Sequence, residues 1–298
     1  MNRLHVLSPG LQTTVQDLGR FGYAHFGISA SGAADPLALR AANLLVGNAE
    51  NAPALELTLN GGEYSFGQPT LIALTGADFG SGLPLWQPVQ LRAGEVLRCP
   101  RATHGARAYL AVRGGFAVPL VMGSASVHVM TGVGGRPLRA GDMLDIGDAA
   151  VRLPRKPARG FEKYTPPVPE RTASLRVTAG PHAREFGEEL YRATYTVSEE
   201  SNRMGIRLKG APLAAHAGQM VSEGVPLGAV QAPPDGQPII LFVEHQTTGG
   251  YPKPATVISA DFWRLGQLRP RDRVAFERIT LPAALELLRD QEEWLYSL

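Results

Sequence analysis

The chain has 298 residues, of which 44% are hydrophobic and 19% are charged, a composition that excludes a disordered protein and suffices for two domains of common size. The net charge is only +2, and no dense stripe of basic residues occurs, which argues against nucleic acid as the main partner. The single cysteine, Cys99, excludes an internal disulfide bond and a cysteine-based zinc cluster.

Short strands are the main predicted element along the chain. The 34 glycines and 24 prolines are scattered, which indicates many turns between short strands. Segments rich in Val, Ile, Leu and Tyr predict strands at 70–75, 106–113, 174–179, 238–243, 255–259 and 273–278. Helices are predicted at 35–46, at 281–297 and, in short form, after Pro181. The pattern therefore predicts a mainly β fold with a few peripheral helices.

A proline-rich, charged segment at 152–172 lacks hydrophobic periodicity and is typical of a connector. Similar lengths of chain lie on its two sides. We therefore predict an N-terminal domain at 1–153, a linker at 154–171 and a C-terminal domain at 172–298.

A short pattern recurs at 91–97, 138–144 and 268–274. In each copy a polar turn closes on a carboxylate, and an apolar strand follows. Three similar β-turns are a simpler interpretation of this recurrence than a duplicated domain.

The segment 10–32 is too polar for a core strand and too rich in glycine for a helix. Thr14, Asp17 and Arg20 are its candidate binding residues. An Arg three residues after an Asp can bind a carboxylate or phosphate while the Asp orients the guanidinium. An Asp17–Arg20 ion pair that only pins a turn is an equally good interpretation.

A second group of polar residues begins at 198–205, where Arg203 lies among small polar residues just before a predicted strand and could reach an anion. Ser-Glu-Gly at 222–224 adds Glu223, and the run 231–238 begins with Gln231. The Pro-Pro-Asp-Gly part of that run is interpreted as a turn.

The segment 244–254 carries the densest set of reactive groups in the chain. It contains Glu244, His245, Gln246, Thr247, Thr248, Gly249, Gly250, Tyr251 and Lys253. Glycines let backbone N–H groups approach a ligand closely, and loops on a β scaffold commonly carry binding sites. We therefore favour a functional site here over a glycine turn whose threonine hydroxyls bond local backbone.

Several familiar motifs are absent from the sequence. It has no G-x-x-x-x-G-K-[ST] phosphate loop, no G-x-S-x-G elbow and no H-E-x-x-H, and its histidines are isolated, so no metal site is predicted. Cys99 is interpreted as a core residue rather than a nucleophile. The absence of a signal-peptide pattern and of a long apolar run leads us to expect a cytoplasmic protein.

An ordered set of short motifs links these segments. In the first half they lie at 10–20, 31–35, 42–48, 54–56, 75–78, 107–112, 114–115, 123–124 and 141–142. In the second half they lie at 180–181, 201–205, 222–224, 231–238 and 246–251. Together they resemble the KipA-like family: the C subunit of bacterial ATP-dependent 5-oxoprolinase, also called allophanate hydrolase subunit 2. This family is similar to one half of the carboxyltransferase domain of urea carboxylase.

The resemblance implies two β-barrel-like subdomains with a cyclophilin-like fold. The implied partners are a KipI-like subunit together with a LamB/YcsF-like subunit. ATP is the implied cofactor, which drives the opening of 5-oxo-L-proline to L-glutamate. The chain alone is expected to be inactive. Two positions depart from the family pattern, since Asn202 and Glu244 stand where the family usually has Asp.

The resemblance supplies the positions of the candidate site residues, and the chemistry of each residue type suggests its role. His245, Tyr251 and Lys253 are the catalytic candidates, with His245 or Tyr251 relaying a proton. The substrate-binding candidates are Thr14, Asp17, Arg20, Arg203, Glu223, Gln231, Gln246, Thr248, Gly249 and Gly250. Arg20, Arg203 and Lys253 would supply positive charge, so Arg203→Ala is expected to reduce activity rather than stability.

Two other functions remain open. A carboxyltransferase that moves CO₂ from biotin on another chain would use the same loops to bind the ureido oxygen. A non-catalytic regulator would sequester a KipI-like kinase inhibitor. Whichever function holds, we expect Gln246, Thr248 and Tyr251 to line one pocket at a barrel mouth, with residues from 13–20 or 201–205, across the boundary between the halves.

Overall fold

The computed structural model describes residues 2–149, 159–164, 172–214 and 220–298, and the chain divides into two units. Unit 1 consists of Met1–Arg20, Ser31–Pro166 and Trp294–Leu298, and unit 2 of Phe21–Ala30 and Pro167–Glu293. Most of the predicted linker, 154–171, lies outside the described residues. The predicted domains are contiguous, whereas each unit takes a short segment from the other half of the sequence.

Trp294 explains why the end of the chain belongs to unit 1. Its indole N–H donates to the Arg159 carbonyl over 2.7 Å. Its ring lies edge-on to that of Trp86, with 6.0 Å between the ring centroids. These contacts bind the last residues to other parts of unit 1.

The strands in the described part of unit 1 form two antiparallel sheets. They are β1 (Arg3–Ser8), β2 (Gln12–Gln16), β3 (Ala54–Thr58), β4 (Glu63–Phe66), β5 (Thr70–Gly76), β6 (Pro88–Leu91), β7 (Val96–Arg98), β8 (Arg107–Val112) and β9 (Met143–Asp145). One sheet has the order β7-β4-β1-β9 and the other β2-β3-β8-β5-β6. An apolar core joins them, because Tyr64 and Phe66 of the first sheet belong to the same buried cluster as Leu55 and Leu110 of the second.

The strands in the described part of unit 2 are organised around a closed barrel. They are β10 (Ala173–Ala179), β11 (Thr194–Val197), β12 (Gly205–Lys209), β13 (Glu223–Gly224), β14 (Ala229–Gln231), β15 (Ile239–Leu241), β16 (Thr248–Gly249), β17 (Ala255–Val257) and β18 (Arg273–Arg278). The barrel order is β10-β17-β14-β15-β12-β11-β18, and the parallel pairing of β10 with β18 closes it. β13 and β16 form a separate two-stranded ribbon.

The α-helices of the described chain are few: α1 (Pro36–Leu45), α2 (Glu189–Arg192), α3 (Phe262–Gln267) and α4 (Leu281–Ser297). α1 begins as predicted, because the Asp35 carboxylate accepts the Ala38 N–H over 2.9 Å and Pro36 occupies the first helical position. Within the described ranges, no helix combines the length and the apolar character needed to cross a membrane.

The mainly β prediction is confirmed, and so are the helices at 35–46 and 281–297. The strand predicted at 238–243 is too long, because β15 ends at Leu241 and a turn begins at Phe242, whose carbonyl accepts the His245 N–H. The short helix after Pro181 is a 3-10 turn at Ala183–Glu185 followed by α2. α3 has no counterpart among the predicted helices.

The recurring pattern forms three equivalent turns, as predicted. In each turn, a carboxylate oxygen accepts the backbone N–H three residues earlier: Glu95 from Arg92 (2.9 Å), Asp142 from Arg139 (2.8 Å) and Asp272 from Arg269 (2.8 Å). The strands β7, β9 and β18 follow directly. The turns thus share one side-chain-to-backbone bond that starts a strand.

Candidate functional site

Three neighbouring barrel strands in unit 2, β14, β15 and β12, present alternate residues to opposite sides of the barrel wall. Cross-strand pairing puts Val230, Ile240 and Ile206 in one row, and these side chains are 0%, 0% and 4% exposed. The next row contains Gln231, Ile239 and Arg207. Because side chains alternate along a strand, the apolar row faces the barrel interior and the row with Gln231 lies on the outer face.

A cavity of about 160 Å³ lies on this outer face. Its lining residues are Asn202, Met204, Gly205, Arg207, Gln231, Ile239, Leu241, Gln246 and Tyr251. Pockets for drug-sized ligands typically measure roughly 300–1,000 Å³, so this cavity fits a small molecule. Three carboxamide side chains, one phenol and one guanidinium surround an apolar floor.

Gln231 holds the most informative polar atom of the cavity. The residue is 2% exposed, and its Nε2 amide has no hydrogen-bond partner among the described residues. Its Oε1 accepts a long hydrogen bond of 3.5 Å from Gln246 Nε2. A buried donor without an acceptor costs about 1–3 kcal/mol, so a ligand oxygen at this position would remove that penalty.

Gly249 allows the Gln231 amide to occupy this position. A Cβ atom on Gly249 would lie 2.8 Å from Gln231 Nε2 and 3.4 Å from Gln246 Nε2. The pairing of Gly249 with Glu223 in the β13–β16 ribbon fixes the backbone there. A side chain at 249 would therefore push the Gln231 amide out of this position, whereas the Gln246 amide would stay within ordinary contact distance.

His245 lies in the same loop but does not line the cavity. Its Nδ1–H donates to the Gln246 carbonyl over 2.6 Å, which leaves Nε2 as the basic nitrogen. Burial lowers the pKa of the His245 imidazole, and the hydrogen bond to Gln246 opposes this effect. The imidazole is therefore neutral at physiological pH.

Lys253 belongs to a charged cluster beside the ribbon. The buried Lys253 ammonium donates to the half-exposed Glu223 carboxylate, and this hydrogen bond lowers the pKa of Glu223. The Lys253 backbone N–H donates to His182 Nδ1 over 3.1 Å. His182 Nε2 lies 4.0 Å from Glu223 Oε1. The arrangement links an ammonium, a carboxylate and an imidazole, although none of them lines the cavity.

The anion that Arg203 contacts is a residue of the chain itself. Arg203 Nε donates to Glu244 Oε1 over 2.5 Å, and the two side chains are 5% and 0% exposed. The Glu244 N–H also donates to the Arg203 carbonyl over 2.7 Å. The pair ties the loop after β15 to the turn before β12, so the effect of Arg203→Ala is expected in stability, contrary to the expectation from sequence.

The candidates from the first half form a buried network within unit 1. The Asp17 carboxylate accepts hydrogen bonds from the Ser124 and Ser126 hydroxyls over 2.6 and 2.5 Å. Arg20 Nη2 donates to the Ser126 carbonyl. The Thr14 hydroxyl accepts from Gln16 Nε2 over 3.0 Å. The Asp17 and Arg20 contacts hold the segment 124–126, the Thr14 contact stays within β2, and none of the three predicted residues lines the cavity.

Comparison with known proteins places the chain in a family. The model of the carboxyltransferase domain, subdomain A and B, matches residues 26–278. The chain belongs to the carboxyltransferase domain family. It is 40% identical to the C subunit of 5-oxoprolinase from Escherichia coli strain K12 over 99% of this chain and 97% of that protein. It is 38% identical to the C subunit of 5-oxoprolinase from Haemophilus influenzae over 98% of this chain and 96% of that protein.

A solved structure agrees with this assignment. The urea carboxylase of Kluyveromyces lactis superposes with a TM-score of 0.88 at 30% sequence identity. The match covers 98% of this chain and 29% of the urea carboxylase chain. The resemblance to the KipA-like family and to a carboxyltransferase domain is thus confirmed.

In this carboxyltransferase-domain chain, three of the predicted site residues share the cavity: Gln231, Gln246 and Tyr251. Thr248, Gly249 and Gly250 do not line it, and the residues from 201–205 that do are Asn202, Met204 and Gly205. The cavity is lined by the outward-facing row of β12, β14 and β15 together with Gln246 and Tyr251 of the loop 244–251, whereas a barrel mouth was expected.

Arg207 and Ile239 line the cavity but are absent from the sequence-based candidates. The alternation Gly-Ile-Arg-Leu-Lys in β12 indicates that Arg207 faces away from the core. Its partners across the strands could not be read from that alternation.

Proposed function

We propose that the chain is the C subunit of an ATP-dependent 5-oxoprolinase, which opens the lactam of 5-oxo-L-proline to give L-glutamate. The proposal takes one partner subunit to be KipI-like and the other to be LamB/YcsF-like. It rests on two near full-length relatives named as the C subunit of 5-oxoprolinase. The cavity on the barrel wall supplies the physical support.

The observation that carries the proposal is the unpartnered Nε2 donor of Gln231 at a cavity for a small molecule. The substrate is a small cyclic amide whose carbonyl oxygen is a strong hydrogen-bond acceptor. Gln246 and Asn202 add further amide groups to the cavity, and a carboxamide can both donate to and accept from a lactam. The buried donor and the ligand oxygen would satisfy each other.

The lactam carbonyl is a poor electrophile, and ATP would supply its activation through transient phosphorylation of the lactam oxygen. Water then adds to the activated carbon, the ring C–N bond breaks and the nitrogen takes up a proton. A second water hydrolyses the resulting acyl phosphate to a carboxylate and free phosphate. The protein must hold the carbonyl and move one proton at the ring nitrogen.

The roles within this chain follow from position. Gln231 would hold the lactam oxygen, and the Tyr251 hydroxyl, which lines the cavity, would exchange the proton. The neutral imidazole of His245 would act as a relay from the same loop. The Lys253–Glu223 pair would fix the ribbon that carries Gly249. The sequence has no phosphate loop, so we assign ATP binding to a site shared with another chain of the complex.

A biotin-dependent carboxyltransferase is the second candidate function. The superposition on urea carboxylase favours it, and the ureido carbonyl of biotin carried on another chain would fit the Gln231 donor as well. A regulator that sequesters a KipI-like protein would not need a buried donor at a cavity, so we do not propose that function.

The deciding experiment is glutamate release from 5-oxo-L-proline and ATP by the chain co-expressed with its two partner subunits. Gln231→Leu keeps the side-chain volume and removes the donor, so we expect KM to rise about tenfold while the melting temperature stays level or rises. Gln291→Leu is the matched control, because the buried Gln291 Nε2 already donates to the Ala260 carbonyl over 3.1 Å. That variant should melt earlier with an unchanged KM. A complex that releases no glutamate but carboxylates urea, with carboxybiotin on a carrier protein as the CO₂ donor, would overturn the proposal.

A further inference from the structure

Arg207 places a positively charged side chain at the cavity from a backbone that hydrogen bonds hold in place. Its backbone is held on both sides, since Ser198 N–H donates to the Arg207 carbonyl over 2.8 Å and Arg207 N–H donates to Ser201 Oγ over 3.0 Å. Throughout the described residues, the Arg207 guanidinium has neither an ion-pair partner nor a side-chain hydrogen bond. The side chain lines the cavity from an exposed position.

The chemical character of the cavity therefore changes from one strand to the next. Gln231 provides a buried donor on β14, Ile239 provides apolar surface on β15, and Arg207 provides a positive charge on β12. Neighbouring strands are about 4.8 Å apart, so the Cα atoms of Gln231 and Arg207 are separated by roughly 10 Å. Both residues project from the same outer face and line the same cavity of about 160 Å³, so its polar ends are far enough apart for one small ring.

We infer that Arg207 binds a carboxylate and selects small cyclic amides that carry one. The ligand would place its carbonyl oxygen at Gln231, its methylene groups on Ile239 and its carboxylate at Arg207. This inference rests on the proposed function and deepens it, because 5-oxoproline carries a carboxylate beside the lactam nitrogen. It makes Arg207 a specificity determinant, separate from the groups that move protons. A guanidinium suits this role because its fork of N–H donors matches a carboxylate.

The test compares two ligands that differ only in the carboxylate. Binding of 5-oxo-L-proline and of 2-pyrrolidinone to the full chain is measured by ligand-observed NMR titration. The wild type should prefer 5-oxo-L-proline by about tenfold, the value of one partly solvated charge-assisted hydrogen bond. Arg207→Met should abolish this preference and leave the affinity for 2-pyrrolidinone unchanged.

Lys209→Met is the matched control. Lys209 lies two residues along the same strand on the same face, is exposed, and does not line the cavity. Its variant loses the same unit of charge and should keep the wild-type preference. A preference that survives in Arg207→Met, or falls equally in Lys209→Met, would overturn the inference. So would a wild type that binds both lactams equally, binds neither, or binds only biotin methyl ester.

The same variants in the assembled complex separate this inference from the proposed function. If the complex releases glutamate and Arg207→Met leaves its KM unchanged, the proposed function is retained and the role of Arg207 is rejected. An Arg207-dependent preference in binding, without glutamate release by the complex, retains the ligand class and rejects the 5-oxoprolinase assignment.

Discussion

Arg203 and Glu244 bring opposite charges inside unit 2, with 5% and 2% of their residue surfaces exposed. A buried ion pair loses most of its hydration, so its members depend on each other. The pair therefore has a structural role beside the cavity, because the hydrogen bond between the two side chains joins the turn before β12 to the start of the loop that follows β15.

We expect Arg203→Ala to lower the free energy of unfolding by about 3–5 kcal/mol, because it leaves the Glu244 carboxylate buried without this partner. Urea denaturation is the measurement. The double variant Arg203→Met/Glu244→Leu should recover most of the loss. Arg271→Ala breaks the exposed pair with Glu199, whose side chains are 83% and 66% exposed, and should cost at most about 1 kcal/mol. Equal losses in the two single variants would contradict the structural role of the buried pair.

His245 gives the second prediction at this scale, since burial lowers its pKa below the usual value. In the unfolded chain, the imidazole takes up a proton near pH ~6.5. As the pH falls below that value, the unfolded chain is protonated before the folded protein, and stability decreases until the folded pKa is passed. The contribution is fully present above that range.

Urea midpoints at about pH 7.5 and about pH 5.5 should therefore show a smaller acid loss in His245→Gln than in the wild type. His25→Gln, at an exposed position, is the control and should follow the wild type. An acid loss in His245→Gln as large as that of the wild type would exclude His245 as its source.

At the scale of elements, the β13–β16 ribbon determines how close the backbone comes to the two cavity amides. Gly249→Ala would place a methyl group 2.8 Å from Gln231 Nε2. That atom ends a flexible side chain, so the amide should move while the fold stays intact. We expect KM to rise several-fold, up to about tenfold, with little change in melting temperature.

Gly224→Ala tests the same ribbon on its other strand. A Cβ atom there meets nothing within 4 Å, and Gly224 pairs with Thr248 in the same ribbon. Activity should stay at the wild-type level in this variant. If both alanine variants raised KM equally, backbone stiffness rather than the displaced amide would be the cause.

Local chemistry made some elements predictable from the sequence. Asp35 and Pro36 give α1 its start, and the acid of each recurring turn marks the strand that follows. α3 was missed because six residues with an internal glycine, Gly266, carry too little periodic signal. The loop at 244–253 was predictable as a polar loop, yet only Gln246 and Tyr251 from it reach the cavity.

The remaining part of the site depends on pairing between strands. Gln231 and Arg207 lie 24 positions apart in the chain and meet in one row because β15 pairs with both β14 and β12. A single sequence shows that these residues face outward from their strands, but not which outward residues become neighbours. Tertiary pairing, not local propensity, places Arg207 at the cavity.

For the whole molecule, we predict that the purified chain alone releases no glutamate from 5-oxo-L-proline and ATP. The sequence lacks a phosphate loop. The one cysteine of the chain, Cys99, does not line the cavity but lies in the core of unit 1, as predicted. Burial raises the pKa of its thiol to about 12, so it is not a reactive nucleophile. A coupled glutamate assay on the isolated chain and on the co-expressed complex makes the comparison. If the isolated chain released glutamate, and Gln231→Leu lowered that rate, the need for partner subunits would be contradicted.

The strands β12, β14 and β15 divide their residues between two tasks, since one row fills the barrel and the next row lines the cavity. Selection can therefore act on the two rows separately. Under the proposed function, changes at 207, 231 and 239 would alter which small molecule is recognised, while 206, 230 and 240 keep the barrel folded. A duplicated gene of this kind could acquire a new substrate through a few outward-facing substitutions, without passing through an unfolded ancestor.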